Sequence, residues 1–224
     1  ISKDFPIKKG LLKRTIGNVK ALDDVSLQLG HGKTLGLVGE SGCGKTTIAR
    51  IILHLEKPTS GNIIYNGNKT NVYTKKQLKD YRKNVQMIFQ DPYSSLNPQR
   101  NVYQILSEPF IIYKYNNIRT KISDILDLVN LPSSTIKKYP HELSGGLRQR
   151  LGIAKALTLN PKMIVCDEPV SALDVSIRSQ IINLLIELQL KKNISYIFIS
   201  HDLSLVQHIS DNIAIMYLGQ IVEY

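Results

Sequence analysis

The sequence predicts an α/β protein, a sheet domain with a phosphate loop near its start and an α-helical subdomain inserted in its middle. Three observations carry this. A glycine-rich run, 39–47 (GESGCGKTT), stands between a β-rich stretch and a helical stripe. Between about 91 and 159 the texture becomes proline-punctuated and then helical. Strand–helix alternation resumes after residue 160.

Each element follows from local pattern. Residues 19–29 alternate as a strand would, and Gly30, His31 and Gly32 turn the chain. A short β-rich run over 34–38 precedes the glycine loop, and Ile48, Ile51, Ile52 and Leu55 form the helical stripe after it. Pro58 and Gly61 punctuate before a strand at 62–65, and Asn66-Gly67 suits a hairpin turn. A short strand follows at 85–89. Three prolines fall within 92–109, and helical patterns then take over at 118–129 and 147–159. The closing order is strand 163–166, helix 175–190, strand 195–199, helix 203–209 and strand 213–217. Residues 1–90 and 160–224 thus form the expected core, and 91–159 the expected helical subdomain.

Composition narrows the class. At 224 residues with 42% hydrophobic content, the chain can bury one sizeable core. Its apolar runs, such as IARIIL and IINLLIELQL, are too short or too interrupted for a membrane span. No signal peptide is visible, although the chain opens at Ile1 rather than Met. Cys43 and Cys166 lie far apart without metal-ligand spacing and read as reduced thiols of a cytosolic protein. The net charge of +11 comes from lysines scattered through loops, without interleaved aromatics. It reads as a solvated surface rather than a nucleic-acid footprint.

The chemistry concentrates in five places. Residues 39–47 match G-x-x-x-x-G-K-[ST] in the required context, strand before and helix after. Gly39, Gly42 and Gly44, with Glu40, Ser41 and Cys43 between them, let the backbone curl so that successive N–H groups face phosphate oxygens. Lys45 brings a point charge to the β/γ-phosphates of a nucleotide, the Thr46 hydroxyl suits Mg²⁺, and Thr47 completes the loop. Cys43 is either a reactive thiol or a small filler. The apolar strand 163–166 ends in Asp167-Glu168, which suits one carboxylate to the Mg²⁺ shell and the next to activating a water. Gln90 and His201 each leave the end of an apolar strand, where ligands of such sheets bind; alone, His201 better suits a surface or core-satisfied histidine, and Gln90 also suits a plain polar exit residue. Finally, Ser144, Gly145 and Gly146 open a helix whose N-terminal amides offer a second anion site.

Taken in order, these motifs resemble the nucleotide-binding subunit of an ATP-binding cassette (ABC) transporter. The order is phosphate loop 39–47, Gln90, Leu143-Ser-Gly-Gly146, Asp167-Glu168, Ser171-Ala-Leu-Asp174 and His201. FQDPYSSLNP (89–98), YPHELSGG (139–146), DEPVSALDVS (167–176), MYLGQIV (216–222) and FPIKKGLL (5–12) are similar to oligopeptide/dipeptide permease ATPases of bacterial importers. The resemblance implies a RecA-like P-loop NTPase core with an antiparallel β subdomain and an inserted helical subdomain, using ATP and Mg²⁺. It implies Thr46, Gln90 and Asp167 around the metal, Glu168 as general base, and His201 holding the γ-phosphate and water. Asp174 would line the dimer contact, and Ser144, Gly145 and Gly146 would meet the γ-phosphate held by the other subunit of a head-to-tail dimer.

The implied partners are membrane permease subunits, a second ABC ATPase subunit and, indirectly, an extracytoplasmic solute-binding protein. The implied place is the cytoplasmic face of the membrane, peripherally bound. The chain departs from the family at Leu147, where Gln is usual, and at Ile16, where an adenine-stacking aromatic is common; Phe5, or an aromatic from elsewhere, would take that place. The usual C-terminal extension is absent from the sequence. The alternatives are a soluble ABC ATPase acting on nucleic acid or ribosomes, and a non-catalytic partner in a heterodimer.

Overall fold

The structure, a computed structural model, describes residues 1–9, 14–91 and 95–224. Residues 10–12 of the amino-terminal stretch and 92–94 of the glutamine-loop stretch therefore lie outside the described residues. Ten strands are labelled in chain order: β1 (Lys3–Lys9), β2 (Arg14–Leu22), β3 (Thr34–Gly39), β4 (Ile64–Tyr65), β5 (Asn68–Lys69), β6 (Val85–Ile88), β7 (Met163–Asp167), β8 (Ser195–Ser200), β9 (Asn212–Tyr217) and β10 (Gln220–Glu223). The helices are α1 (Lys45–Ile52), α2 (Lys75–Asn84), α3 (Val102–Ile112), α4 (Ile118–Leu128), α5 (Gly145–Leu157), α6 (Val175–Lys192) and α7 (Leu203–Ile209).

Six strands are hydrogen-bonded in the order β10-β9-β3-β8-β7-β6, while β1-β2 and β4-β5 form separate two-stranded sheets. The pairs β3–β9 and β6–β7 are parallel, and β10 closes one edge antiparallel to β9. All six residues of β8 (SYIFIS) are buried, as expected for a strand covered on both faces.

By compactness the chain forms two units. The first comprises Ile1–Gly30, Thr34–Arg82 and Phe198–Tyr224; the second comprises His31–Lys33 and Lys83–Ile197. In the first, Leu35, Leu37, Ile48, Ile51, Val206 and Met216 are buried. In the second, Leu106, Phe110, Ile122, Leu151, Ile181 and Leu185 are buried.

Several elements differ from the sequence expectation. The early strand runs over Arg14–Leu22, paired with β1 at Phe5↔Val19, and 23–30 is not a strand. Helix α1 stops at Ile52, which leaves Leu55 outside it and 59% exposed. Helix α2 (KKQLKDYRKN) escapes a periodicity reading because Leu78 and Tyr81 are its only apolar residues apart from charged stems. Tyr81 nevertheless anchors it. Its hydroxyl donates to the Ile52 carbonyl at 2.7 Å, and His54 and Tyr65 pack edge-on to its ring.

Helix α3 forms within the proline-punctuated stretch, with Pro109 inside it. Asn101 and Gln104 close a capping box at its start, and buried Val102, Ile105, Leu106 and Phe110 compensate for the missing ladder bond. The Asn66-Gly67 turn is as expected, with φ values of 49° and 77° between β4 and β5.

Candidate nucleotide site

The phosphate loop leaves β3 at Gly39 and enters α1 at Lys45. Gly44 caps the helix with φ 115°, a conformation that L side chains rarely adopt. A Cβ on Gly44 would meet the Ala21 carbonyl oxygen at 2.7 Å and Leu22 Cδ2 at 2.9 Å. One on Gly39 would run into the Met216 carbonyl, its partner in the β3–β9 register. The Gly219 N–H also donates to the Cys43 carbonyl at 3.0 Å. The loop is therefore braced from behind, while Glu40, Ser41, Gly42 and Thr46 remain exposed and Thr47 half-buried.

Lys45 is only 5% exposed. Its Nζ donates to the Gly39 and Glu40 carbonyls, each at 2.7 Å, and lies 3.6 Å from Cys43 Sγ. A buried ammonium needs such acceptors. Cys43 is buried behind this group, which favours the filler reading over the reactive one. His201 belongs to the same unit, exposed just beyond β8 and ahead of Asp202, whose carboxylate accepts from the Ser204 and Leu205 N–H groups.

In the second unit the parallel β6–β7 register pairs Ile88 with Cys166. Gln90 and Glu168 each lie two residues beyond that pair, so the strands deliver them side by side. Gln90 Nε2 donates to Glu168 Oε2 at 3.0 Å. Asp167 is buried to 4% exposure at the end of β7. Glu168 takes a left-handed φ of 46°, and Ser171 holds that turn by donating both its hydroxyl (3.1 Å) and its N–H (3.3 Å) to the Glu168 carbonyl. The quoted motif contained Ser171, yet residue type alone did not reveal this bracing.

Ser144 sits at the N-cap of α5, exposed, and its side chain makes no cap hydrogen bond. Its hydroxyl is thus presented outward rather than spent on its own helix. Gly145 and Gly146 let the helix start approach Leu173 and the first turn of α6. A Cβ on Gly146 would meet Ile177 Cγ2 at 2.9 Å, and one on Gly145 would reach Leu173 Cδ2 at 3.6 Å. Asp174 is the exposed N-cap of α6, again without a side-chain cap bond. Among the described residues no three His, Cys, Asp or Glu side chains gather as a metal site. Nor is any helix long and apolar enough to cross a membrane. Ile16 is 61% exposed and Phe5 36%, with Lys3 Nζ 4.7 Å from the Phe5 ring centroid.

The family model described as ABC transporter matches residues 22–171. The chain is 52% identical to the oligopeptide transport ATP-binding protein AppF of Bacillus subtilis over 227 aligned residues, covering all of this chain and 69% of that protein. It is 47% identical to the dipeptide transport ATP-binding protein DppF of Haemophilus influenzae, with 100% and 69% covered. Among solved structures, a dimeric ATP-binding cassette in a post-hydrolysis state with ADP and Pi superposes with a TM-score of 0.85 at 27% identity, covering 100% of this chain and 94% of that one. The cbiO1 subunit of a Clostridium perfringens ABC transporter complex gives 0.83 at 28%, covering 100% and 87%. The family match and these relatives together show that the chain belongs to the ABC transporter family.

Proposed function

We propose that the chain is the ATP-hydrolysing subunit of an importer of oligopeptides or dipeptides. It works in a head-to-tail pair with a second ABC ATPase subunit, identical or not. The pair sits peripherally at the cytoplasmic face of the membrane, on separate permease subunits served by an extracytoplasmic solute-binding protein. The observation that carries ATP handling is the Lys45 ammonium folded into the curl of its own loop, donating to two loop carbonyls. Phosphate oxygens are stronger acceptors than those carbonyls, so the lysine is already placed to exchange one set for the other.

The roles rest on the family resemblance together with the chemistry of each residue. Gly39, Glu40, Ser41, Gly42, Cys43, Gly44, Lys45, Thr46 and Thr47 bind the phosphates. Thr46, Gln90 and Asp167 supply oxygen ligands for Mg²⁺. Mg²⁺ prefers a few protein oxygens plus waters and phosphates to a full protein cage, which suits a set of three oxygen-bearing side chains. When bound, it neutralises charge on the phosphates. Glu168 takes the proton of the attacking water, Gln90 orients Glu168, and His201 fixes the γ-phosphate. Ser144, Gly145 and Gly146 complete the partner's site beside Asp174, with the helical subdomain over 91–159 relaying closure. The compared relatives carry transport names, which leaves the nucleic-acid alternative without support.

Two measurements test this. Lys45→Ala in the purified protein should abolish ATP hydrolysis, and unchanged turnover would overturn the site. Deletion of the protein from its native cells should stop uptake of labelled di- and oligopeptides; undiminished uptake would overturn the cargo assignment alone.

A further inference from the structure

Within the second unit, one half-buried cation is not used by the hydrolytic machinery. Lys155 lies ten residues along α5 from Gly145, about 15 Å by helical rise, on the signature helix, the one that Ser144, Gly145 and Gly146 open. Its Nζ donates to the Ser95 carbonyl at 3.1 Å. The Ser95 N–H in turn donates to the Asp91 carbonyl at 3.3 Å. Asp91 follows Gln90, and Gln90 donates to Glu168 at 3.0 Å. The chain of contacts thus runs from the signature helix to the proposed general base.

The surroundings point the same way. Burial pulls the Lys155 ammonium below the usual lysine range; nearby Glu108 opposes that pull and Arg100 adds to it. Arg100 and Glu108 are themselves paired at 2.6 Å. Leu96, next to Ser95, is 1% exposed. Desolvating an ammonium to meet a backbone carbonyl is poor value for stability, since an apolar side chain of similar length packs there without that cost. Its return is therefore sought in the reaction.

We propose that Lys155 is a positioning residue for ATP hydrolysis, tying Ser95, and through it the Asp91 carbonyl next to Gln90, to the signature helix so that Gln90 holds Glu168 in one orientation. This rests on the ATPase function proposed above. It assigns Lys155 no contact with nucleotide.

The test is steady-state ATP hydrolysis by the purified full-length protein with Mg-ATP. Lys155→Met should lower kcat about tenfold while KM for ATP stays within roughly twofold, the split expected of a residue that acts only on the chemical step. Lys155→Arg, which keeps the charge and the donors, should recover at least about half of the rate. In a Gln90→Ala background, Lys155→Met should cost almost nothing more, because both changes break one linkage. If Lys155→Met fails to fold, Lys155→Gln is read by the same criteria.

Wild-type kcat in the Met or Gln variant overturns the proposal. So does an Arg variant as slow as Met, or a full second loss in the Gln90→Ala background, each of which marks a merely structural lysine. A wild-type protein that hydrolyses no ATP overturns the underlying function instead.

Discussion

Glu168 combines an unfavourable backbone with the most exacting proposed role. Its φ of 46° costs about 1–2 kcal/mol for a residue with a Cβ. Ser171 holds the turn through two bonds to the Glu168 carbonyl, so the strain is maintained by its surroundings. Glu168→Gln keeps that backbone and removes the proton acceptor. It should lower ATP turnover by about 100-fold or more while ATP still binds, seen as an accumulating ATP-bound dimer by gel filtration. Glu168→Gly should also be inactive, yet raise the thermal midpoint by relieving the left-handed strain. The sequence shows the carboxylate, because an apolar strand ending in Asp-Glu is visible by composition. It does not show the left-handed turn, since φ at a non-glycine residue is set by packing and by partners such as Ser171.

Helix α5 and the loop–helix joint at Gly44 carry the next predictions. Ser144→Arg adds bulk and charge at an exposed N-cap whose hydroxyl is not engaged by its own helix. ATP binding by the monomer should be unchanged, while dimer closure and hydrolysis are lost, readable by nucleotide titration beside turnover. Gly44→Ala places a Cβ 2.7 Å from the Ala21 carbonyl in a conformation that disfavours it. It should cost about 2–3 kcal/mol in urea unfolding and weaken nucleotide binding with it. Patterned elements such as α4, and the loop flanked by strand and helix, were legible from periodicity and glycine spacing. Helix α2 was not, because its burial rests largely on Tyr81, and α3 was not, because Pro109 masks a helix that its cap and core residues sustain.

At the scale of the whole molecule, three buried hydroxyl or thiol groups among the described residues set an alkaline limit. Burial pushes Cys166, Tyr81 and Tyr196 upward from their ordinary ranges, with Asp167 adding to the effect at Cys166. Folded, these groups keep protons that the unfolded chain releases. Their contribution to stability is therefore complete below about pH 8.5, where the unfolded thiol begins to ionise, and is lost as pH rises beyond it. Each fully retained proton adds a slope of up to about 1.4 kcal/mol per pH unit, so urea midpoints should fall steeply between about pH 9 and 11. Cys166→Ala should flatten the onset of that fall, and an unchanged profile would remove Cys166 from the account.

The same whole-chain view shows what the phosphate loop depends on. The loop itself was legible in the sequence, but the residues behind it were not, because Met216 and Gly219 lie more than 170 positions downstream. Met216 backs Gly39 and Gly44, and Gly219 donates to Cys43 and accepts from the Asp23 N–H at 2.8 Å. A chain emerging from the ribosome thus carries a complete phosphate-binding sequence long before it carries the support for it. Nascent chains arrested before Gly219 leaves the exit tunnel should fail to retain nucleotide, so acquisition of ATP waits on residues made long after the loop itself.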